Sequence, residues 1–263
     1  MEAGPRVGRV SRRDRDRGLG GDQVEGTRAV LELLRAGRRP VRDVWLARDA
    51  GTEEIETLAR DADVRVHRID RDTLDQRARS ESPQGVIARA DALPEADLDE
   101  LLAAPDSFLI ALDGVTDPQN LGAVMRVADA AGATGVIVPR HRSARVTPAA
   151  TKAAAGAIEH LAIAPVSGIP AALDRATRAG VWSVGLDSGG TGDVFALDIA
   201  ERAIVLVLGA EGRGLSRLAR ERCDLVARIP MRAGVDSLNV ATAAAIACYE
   251  VVRRRDTLTT RPG

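Results

Sequence analysis

The hydrophobic pattern of the chain consists of short apolar runs that alternate with amphipathic stretches. The run FLIALD at residues 108–113 is continuous, which is typical of a strand buried on both faces of a parallel sheet. Further runs of this kind are GVIVP (135–139), LAIAPV (161–166), VWSVGLD (181–187), AIVLVLG (203–209) and LVARIPM (225–231). The alternation predicts an α/β fold with a mostly parallel sheet that is covered by helices on both faces.

Helical patterns fill the stretches between these runs. A stop signal follows the first of them at Gly132, and the last is a long helix that ends near Arg254. The helices predicted before this final one run from about Leu121 to Ala131 and over residues 147–159, 169–180 and 215–223.

A smaller α/β unit is predicted over residues 22–91. A helical pattern begins at Val24 and ends before Gly37, and strand and helix patterns then alternate up to a closing strand, QGVIARA. Residues 92–106 contain five acidic and no basic residues together with two prolines. This composition is typical of a linker, with a short helix over LDELLAA, and the larger unit then spans 107–256.

Both ends of the chain are predicted to lie outside these units. Residues 1–21 are rich in arginine and glycine and show no periodicity, so we expect a disordered tail. Such a tail either tethers RNA or is a solvated extension without a function. Residues 257–263 are expected to form a second, short tail.

Composition narrows the class of protein. Aromatic residues make up only 2% of the 263 residues, which disfavours a protein that reads bases mainly by aromatic stacking, and the net charge of −1 gives no global field that indicates nucleic acid. Cys223 and Cys248 lack the spacing of a zinc site, so we expect no metal. Two cysteines in a chain of this length suggest a reducing compartment. Because no run of about 18 apolar residues occurs, we expect a soluble, cytoplasmic protein.

Polar residues cluster after three of the predicted strands. Asn120 and Arg126 follow FLIALD, Glu211 follows IVLVLG, and Ser237 and Asn239 follow VARIPM. Ligands in open parallel α/β sheets bind beyond the carboxyl ends of the strands, so three loops can converge on one site.

Each of these residues also has an ordinary structural explanation. Asn120 is a good helix N-cap, and Ser237 or Asn239 is suited to cap the last helix. An isolated Arg126 can extend its side chain to the surface from an otherwise apolar helix. The glycines of GAEGRG either allow a ligand close to the backbone or form a turn, since the segment is not GxGxxG and lacks the lysine of a P-loop.

A second polar cluster is basic. The segment PRHRSARVTPAATK contains no acidic residue, and Lys152 is the only lysine of the chain. Such a loop either grips RNA phosphates or is simply solvated. The candidate RNA-binding residues are Arg140, Arg142, Arg145 and Lys152.

Three segments together closely resemble the three ordered motifs of the SpoU (TrmH-class) RNA ribose 2′-O-methyltransferases of the SPOUT superfamily. They are LDGVTDPQNLGAVMRVADAAGATGVIVP, LVLGAEGRGLSRLARERCD and IPMRAGVDSLNVATAAAIACYEVVRR, within residues 107–254. The smaller unit resembles the substrate-binding domain of relatives that modify 23S ribosomal RNA. The resemblance implies a carboxy-terminal trefoil knot, a homodimer with the site near the subunit interface, and S-adenosylmethionine as cofactor. By motif position, Gly209, Ile229 and Leu238 would bind this cofactor through backbone groups.

The resemblance also implies roles for the polar cluster. Arg126 would take the central part in activating a ribose 2′-hydroxyl; arginine is a reluctant base, so binding of the neighbouring RNA phosphate is its more natural role. Glu211 would hold Arg126 or the ribose. Ser237 and Asn239 would order the loop and the target. Asn120 occupies the remaining polar position of the motifs. One departure is that Ala241 and Thr242 stand where many relatives have SVA.

The expected function is therefore methylation of a ribose 2′-hydroxyl in structured RNA, with a guanosine of 23S ribosomal RNA as the target. Alternatives within this class are a transfer RNA or a ribosomal site whose methylation blocks an antibiotic. An alternative in another class is a non-catalytic RNA-binding or ribosome assembly factor. A dinucleotide-dependent enzyme is disfavoured because GxGxxG is absent.

Overall fold

The computed structural model describes residues 18–141, 143–198, 202–232 and 237–259, with side chains up to residue 256. The first unit is built from β1 (Gln23–Glu25), α1 (Thr27–Ala36), β2 (Val41–Ala47), α2 (Glu53–Asp61), β3 (Arg65–Ile69), α3 (Arg71–Asp75) and β4 (Val86–Ala90). Its four strands lie in the order β1-β4-β2-β3, in which only β2 and β3 are parallel. Alternate residues such as Val24, Val44 and Val86 point to one face and pack under α1 and α2.

The helix expected from Val24 starts later than predicted. Val24 lies in β1 and pairs with Ala88 of β4, and the helix begins only at Thr27. The residues from Val24 onward match a helical pattern locally, but pairing with a strand 60 residues away in the chain overrides it.

The second unit contains the parallel sheet that the apolar runs predict. Its elements are α4 (Leu98–Ala103), β5 (Phe108–Asp113), α5 (Pro118–Ala130), β6 (Gly135–Pro139), α6 (Pro148–Ala153), β7 (Ile163–Val166), α7 (Ile169–Arg178), β8 (Trp182–Leu186), β9 (Gly192–Asp193), β10 (Ile204–Gly209), α8 (Arg217–Arg222), β11 (Leu225–Arg228) and α9 (Val240–Thr259). The strand order is β7-β6-β5-β10-β8-β11-β9, and every pair is parallel.

Helices cover both faces of this sheet, as expected. On one face α5, α6 and α9 pack against the strands through residues such as Met125, Ala150 and Ala244. On the other face α4, α7 and α8 do so through residues such as Leu102 and Leu173. The prediction of an α/β fold with a two-sided parallel sheet is confirmed. No helix among the described residues is long and apolar enough to cross a membrane.

The helix predicted over 147–159 is interrupted, and the interruption serves the contact between the two units. It ends as α6 at Ala153, and a short 3₁₀ helix follows over Ala157–Glu159. Gly156 between them has φ +88°, and a Cβ added there would lie 2.4 Å from the Cβ of Glu32 in α1. In this backbone conformation a side chain at position 156 would overlap the first unit, so the turn requires glycine there.

A buried ion pair joins the units next to this turn. Arg39 donates from Nε to Glu159 Oε2 at 2.9 Å and from Nη2 to Glu159 Oε1 at 2.5 Å, and both side chains are almost fully buried. The remaining guanidinium nitrogen donates to the carbonyls of Gly21 (2.7 Å) and Asp91. Nearby, Lys152 Nζ donates to the carbonyl of Ser82 at 2.7 Å, across the same junction.

Parts of both predicted tails belong to the folded structure. Residues 1–17 lie outside the described residues. Gly20 and Gly21, which we assigned to the first tail, hydrogen-bond to the second unit and the linker, since Gly21 N donates to Val146 O at 2.8 Å and Leu93 N donates to Gly20 O at 3.1 Å. At the other end, α9 continues to Thr259, five residues beyond its predicted end.

Candidate active site

A cavity of about 820 Å³ lies beyond the carboxyl ends of β8, β10 and β11. Loops that follow these three strands and the start of α9 line it, at the end of the sheet where parallel α/β folds bind ligands. Its walls include Gly209, Ile229 and Leu238, the three residues assigned by motif position to the cofactor, together with Glu211 and Ser237. The cavity therefore lies where ligands are expected in a parallel α/β sheet, beyond the carboxyl ends of its strands. We call this expectation the strand-end rule.

The loop after β10 is a tight turn that carries Glu211 into this cavity. Ala210 and Gly214 exchange two backbone hydrogen bonds of 3.1 and 2.9 Å, and Gly212 and Gly214 have φ values of +73° and +64°. Gly209 lies under the turn, where an added Cβ would lie 2.2 Å from the carbonyl carbon of Gly214. Of the two explanations for the glycines, Gly212 and Gly214 fit the turn, and Gly209 is required by the close approach of the chain to itself.

Asn239, at the edge of the cavity, forms hydrogen bonds with the first turn of α5, with the loop after β10 and with the start of α9. Its Nδ2 donates to Asn120 Oδ1 at 3.0 Å and to Glu211 Oε1 at 2.6 Å. Its Oδ1 accepts from the backbone N–H groups of Ala241 (2.9 Å) and Thr242 (3.4 Å), so it also caps α9. The capping explanation and the site explanation for Asn239 are thus both satisfied by one side chain.

Asn120 does not cap its helix. Helix α5 begins three residues earlier than predicted, and Asp117 is its N-cap, accepting from Gln119 N at 3.1 Å ahead of Pro118 in the first turn. The capping explanation for Asn120 is wrong, because the true cap frees its side chain to meet Asn239.

Arg126 is exposed on α5 and forms no ion pair with any described residue. Six helical residues separate it from Asn120, which corresponds to a rotation of about 240° around the helix and a rise of about 9 Å. The two side chains therefore leave α5 in different directions. Glu211, expected to hold Arg126 or the ribose, is instead hydrogen-bonded to Asn239.

The basic loop lies away from the cavity and is engaged in intramolecular contacts. Arg140 forms a two-pronged pair with Glu95 of the acidic linker, at 3.0 and 2.7 Å. Arg145 donates to the carbonyl of Gly18, and Lys152 to that of Ser82. Arg142 lies outside the described residues. The RNA-binding assignment of this loop stays a prediction.

Two further residues near the cavity were not singled out from the sequence. Asp187, at the end of β8, lines the cavity and accepts from Arg220 Nη1 at 2.6 Å; the strand-end rule applied to VWSVGLD would have found it. Cys223 approaches Gly185 in β8, where its Sγ would lie 2.9 Å from an added Cβ. Burial, and then the nearby carboxylates of Asp224 and Asp113, raise the pKa of this thiol to about 12, so it is no nucleophile at neutral pH.

Comparison with known proteins matches both units. The SpoU rRNA Methylase family matches residues 107–249, and a family described as RNA 2′-O ribose methyltransferase substrate binding matches residues 23–96. The 23S rRNA (guanosine-2′-O-)-methyltransferase RlmB of Shewanella oneidensis is 39% identical over 241 residues, which cover 89% of this chain and 98% of that protein.

Solved structures agree over almost the whole chain. The SpoU methyltransferase AviRb from Streptomyces viridochromogenes, in complex with the cofactor AdoMet, has a TM-score of 0.78 at 30% identity and covers 94% of this chain and 95% of its own. The AdoMet-bound rRNA methyltransferase from Sinorhizobium meliloti has a TM-score of 0.77 at 26% identity, with coverages of 93% and 91%. The resemblance of the three motifs is confirmed, and the chain belongs to the SpoU rRNA methylase family.

Proposed function

We propose that the protein transfers a methyl group from S-adenosylmethionine to the ribose 2′-hydroxyl of a guanosine in 23S ribosomal RNA. The observation that carries this proposal is the Asn120–Asn239–Glu211 cluster, held by hydrogen bonds at the rim of a cavity built from the loops after β8, β10 and β11. Similarity to the 23S rRNA (guanosine-2′-O-)-methyltransferase of Shewanella oneidensis supports the target, and similarity to the AdoMet complexes supports the cofactor.

The chemistry of the cavity suits this cofactor. Leu186, Ile229 and Leu238 give apolar walls for a purine ring, and the carboxylate of Asp187 is a hydrogen-bond acceptor for ribose hydroxyls. Backbone groups of Gly209, Ile229 and Leu238 are the proposed cofactor contacts. When bound, S-adenosylmethionine supplies a sulfonium methyl group that is already electrophilic.

The residues of the chain then have to orient the ribose and remove its 2′-hydroxyl proton. Arg126 binds the RNA phosphate next to the target, and that phosphate, oriented by the guanidinium, accepts the proton. Glu211, fixed by Asn239, accepts a hydrogen bond from the ribose. Ser237 and Asn120 complete the polar rim that orders the target nucleotide.

The proposal includes a homodimer, in which Arg126 lies at the interface. Arg126 shares a surface of α5 and α9 with apolar side chains, among them the partly exposed Ile246 and the half-exposed Tyr249, whose hydroxyl lies 3.5 Å from the carbonyl of Ala130. Such an apolar surface, on which Arg126 has no ion-pair partner among the described residues, suits a second copy better than solvent.

The proposal also includes the trefoil knot. Strand β11 lies near the edge of the sheet, yet α9, which follows it, packs on α5 and β10 near the centre. Met231 and Ser237, which lie between β11 and α9, line the cavity beside the loop after β10, and this placement supports the crossing that a knot requires. A ribosomal RNA target further implies a cytoplasmic location.

The test is methyl transfer from labelled S-adenosylmethionine to unmodified 23S ribosomal RNA and to transfer RNA, followed by nuclease digestion. We expect label in 2′-O-methylguanosine from the ribosomal transcript alone. Label in transfer RNA would mean that transfer RNA, not ribosomal RNA, is the substrate. Binding of RNA without methyl transfer to either RNA would favour an assembly factor.

Gly209→Ala should weaken cofactor binding. The new methyl group would overlap the backbone of Gly214, so the turn that carries Glu211 has to move away from the cavity. We expect the Kd for S-adenosylmethionine, measured by calorimetry, to rise about tenfold or more. Gly51→Ala, which meets no atom within 4 Å, is the matched control, and equal affinities for the two variants would remove Gly209 from the site.

A further inference from the structure

The four-stranded sheet of the first unit has a second face, opposite α1 and α2. Because side chains alternate along a strand, this face carries Trp45 of β2, His67 of β3 and Arg89 of β4. Trp45 and His67 are directly opposed in the parallel pair, and their rings stack with centroids 5.5 Å apart and planes 13° apart. In a chain with five aromatic residues (two Trp, one Tyr and two Phe), this stack marks a specialised surface.

Two arginines lie over the tryptophan ring. The Cζ of Arg77, which follows α3, is 5.6 Å from the ring centroid, and that of Arg89 is 5.8 Å away. Contact of a guanidinium with an indole ring restrains the position of the cation. Such a contact leaves the N–H groups of the guanidinium available to another partner.

Three arginines on this side of the sheet lack ion-pair partners among the described residues. Arg65, Arg77 and Arg89 are exposed, and none of them forms an ion pair with a described residue. The carboxylates on the same face are engaged: Asp43 hydrogen-bonds to His67 Nε2 at 2.8 Å, and the buried Glu25 accepts from Ser80. Most other arginines of this unit have acidic partners, whereas Arg60 in α2 and Arg38, which donates to backbone carbonyls, form no ion pair with a described residue. The paired arginines are Arg28, Arg35, Arg39, Arg42, Arg48, Arg68, Arg71 and Arg79.

We propose that Arg65, Arg77 and Arg89, grouped around the Trp45–His67 stack, bind the phosphate backbone of the RNA substrate at a distance from the methylated ribose. We name this group the arginine–tryptophan surface. The proposal rests on the proposed function, since it takes RNA as the substrate. Guanidinium groups match the paired oxygens of a phosphate, and the contact of Arg77 and Arg89 with Trp45 lowers the entropy that binding has to overcome. The surface grips the backbone without reading bases, which agrees with the low aromatic content.

The position of this surface suits such a role. The buried Arg39–Glu159 pair and the Lys152–Ser82 contact fix the first unit against the second. An RNA held on the first unit is therefore presented to the cavity at a constant spacing. A structured ribosomal RNA is large enough to contact both units at once, whereas a short acidic peptide would engage this face alone.

The test compares two double variants of the full-length protein that remove the same charge. Arg77→Gln with Arg89→Gln should weaken binding to an unmodified 23S ribosomal RNA transcript about tenfold or more at 0.1 M salt. It should also reduce the slope of log K against log salt by about 1.4, since each lost phosphate contact accounts for roughly 0.7. Arg42→Gln with Arg48→Gln, which removes two exposed, ion-paired arginines, should leave both quantities nearly unchanged.

A fluorescence measurement tests the surface by a second route. In a Trp182→Phe background Trp45 is the remaining tryptophan, and its emission should change when this RNA is added. Any one of three results would overturn the proposal: equal losses of RNA affinity in the two double variants, an unchanged salt slope in Arg77→Gln with Arg89→Gln, or Trp45 emission that does not change when RNA is added. Affinity for S-adenosylmethionine and methyl transfer by the wild type are measured separately, so a failure of the proposed activity is distinguished from a failure of this surface.

Discussion

Replacing Arg126 by alanine should reduce single-turnover methyl transfer at least about a hundredfold, the effect of removing one preorganised group that stabilises developing charge. Affinity for S-adenosylmethionine should not change, because Arg126 does not line the cavity. Arg126→Lys should recover little, since an ammonium group cannot hold a phosphate through two parallel hydrogen bonds. Rapid-quench transfer assays and calorimetry measure these two quantities.

The control for this variant is Arg178→Ala. Arg178 is also an exposed arginine on a helix of the second unit, but it lies in α7 on the other face of the sheet. The Arg178→Ala variant should transfer methyl groups at the wild-type rate. A rate for Arg126→Ala within threefold of that value would refute the role assigned to Arg126 and leave Glu211 as the group that acts on the ribose.

Replacing Arg39 by alanine should lower the free energy of unfolding by about 3–5 kcal/mol. The substitution leaves the carboxylate of Glu159 buried and unpaired, which is far more costly than loss of an exposed pair. It also removes the donor to the carbonyls of Gly21 and Asp91. Urea denaturation followed by circular dichroism measures the change.

Arg42→Ala is the comparison for this variant, because Arg42 lies three residues away and pairs with Asp91 at the surface. Loss of that pair should cost no more than about 1 kcal/mol. Replacing Arg39 and Glu159 together by methionine and leucine should restore most of the stability, since no charge is left buried. Similar losses for Arg39→Ala and Arg42→Ala would mean that water reaches the junction.

Local patterns were sufficient to predict most of the second unit and the position of its cavity. The continuous run of β5 and the similar run of β10 identify central strands, and the carboxyl ends of parallel strands meet at one edge whatever the details of packing. For this reason Glu211 and Asn239 were expected to meet before any contact was known. Asp187 obeys the same rule.

Contacts between distant parts of the chain could not be predicted in this way. Val24 belongs to a strand because β4 pairs with it, and Arg140 is neutralised by Glu95, 45 residues away. Glycine is required at position 156, after α6, because Glu32 of the other unit packs against it. Each of these outcomes depends on where a remote segment packs, which a local window of residues does not contain.

The single lysine makes the junction between the units chemically addressable. Lys152 carries the only side-chain amine of the protein, and its Nζ is held by the carbonyl of Ser82 on the opposite unit. An amine-selective reagent therefore has one side-chain target, and that target lies at the junction between the two units. The reactivity of this amine reports on the contact between Lys152 and Ser82.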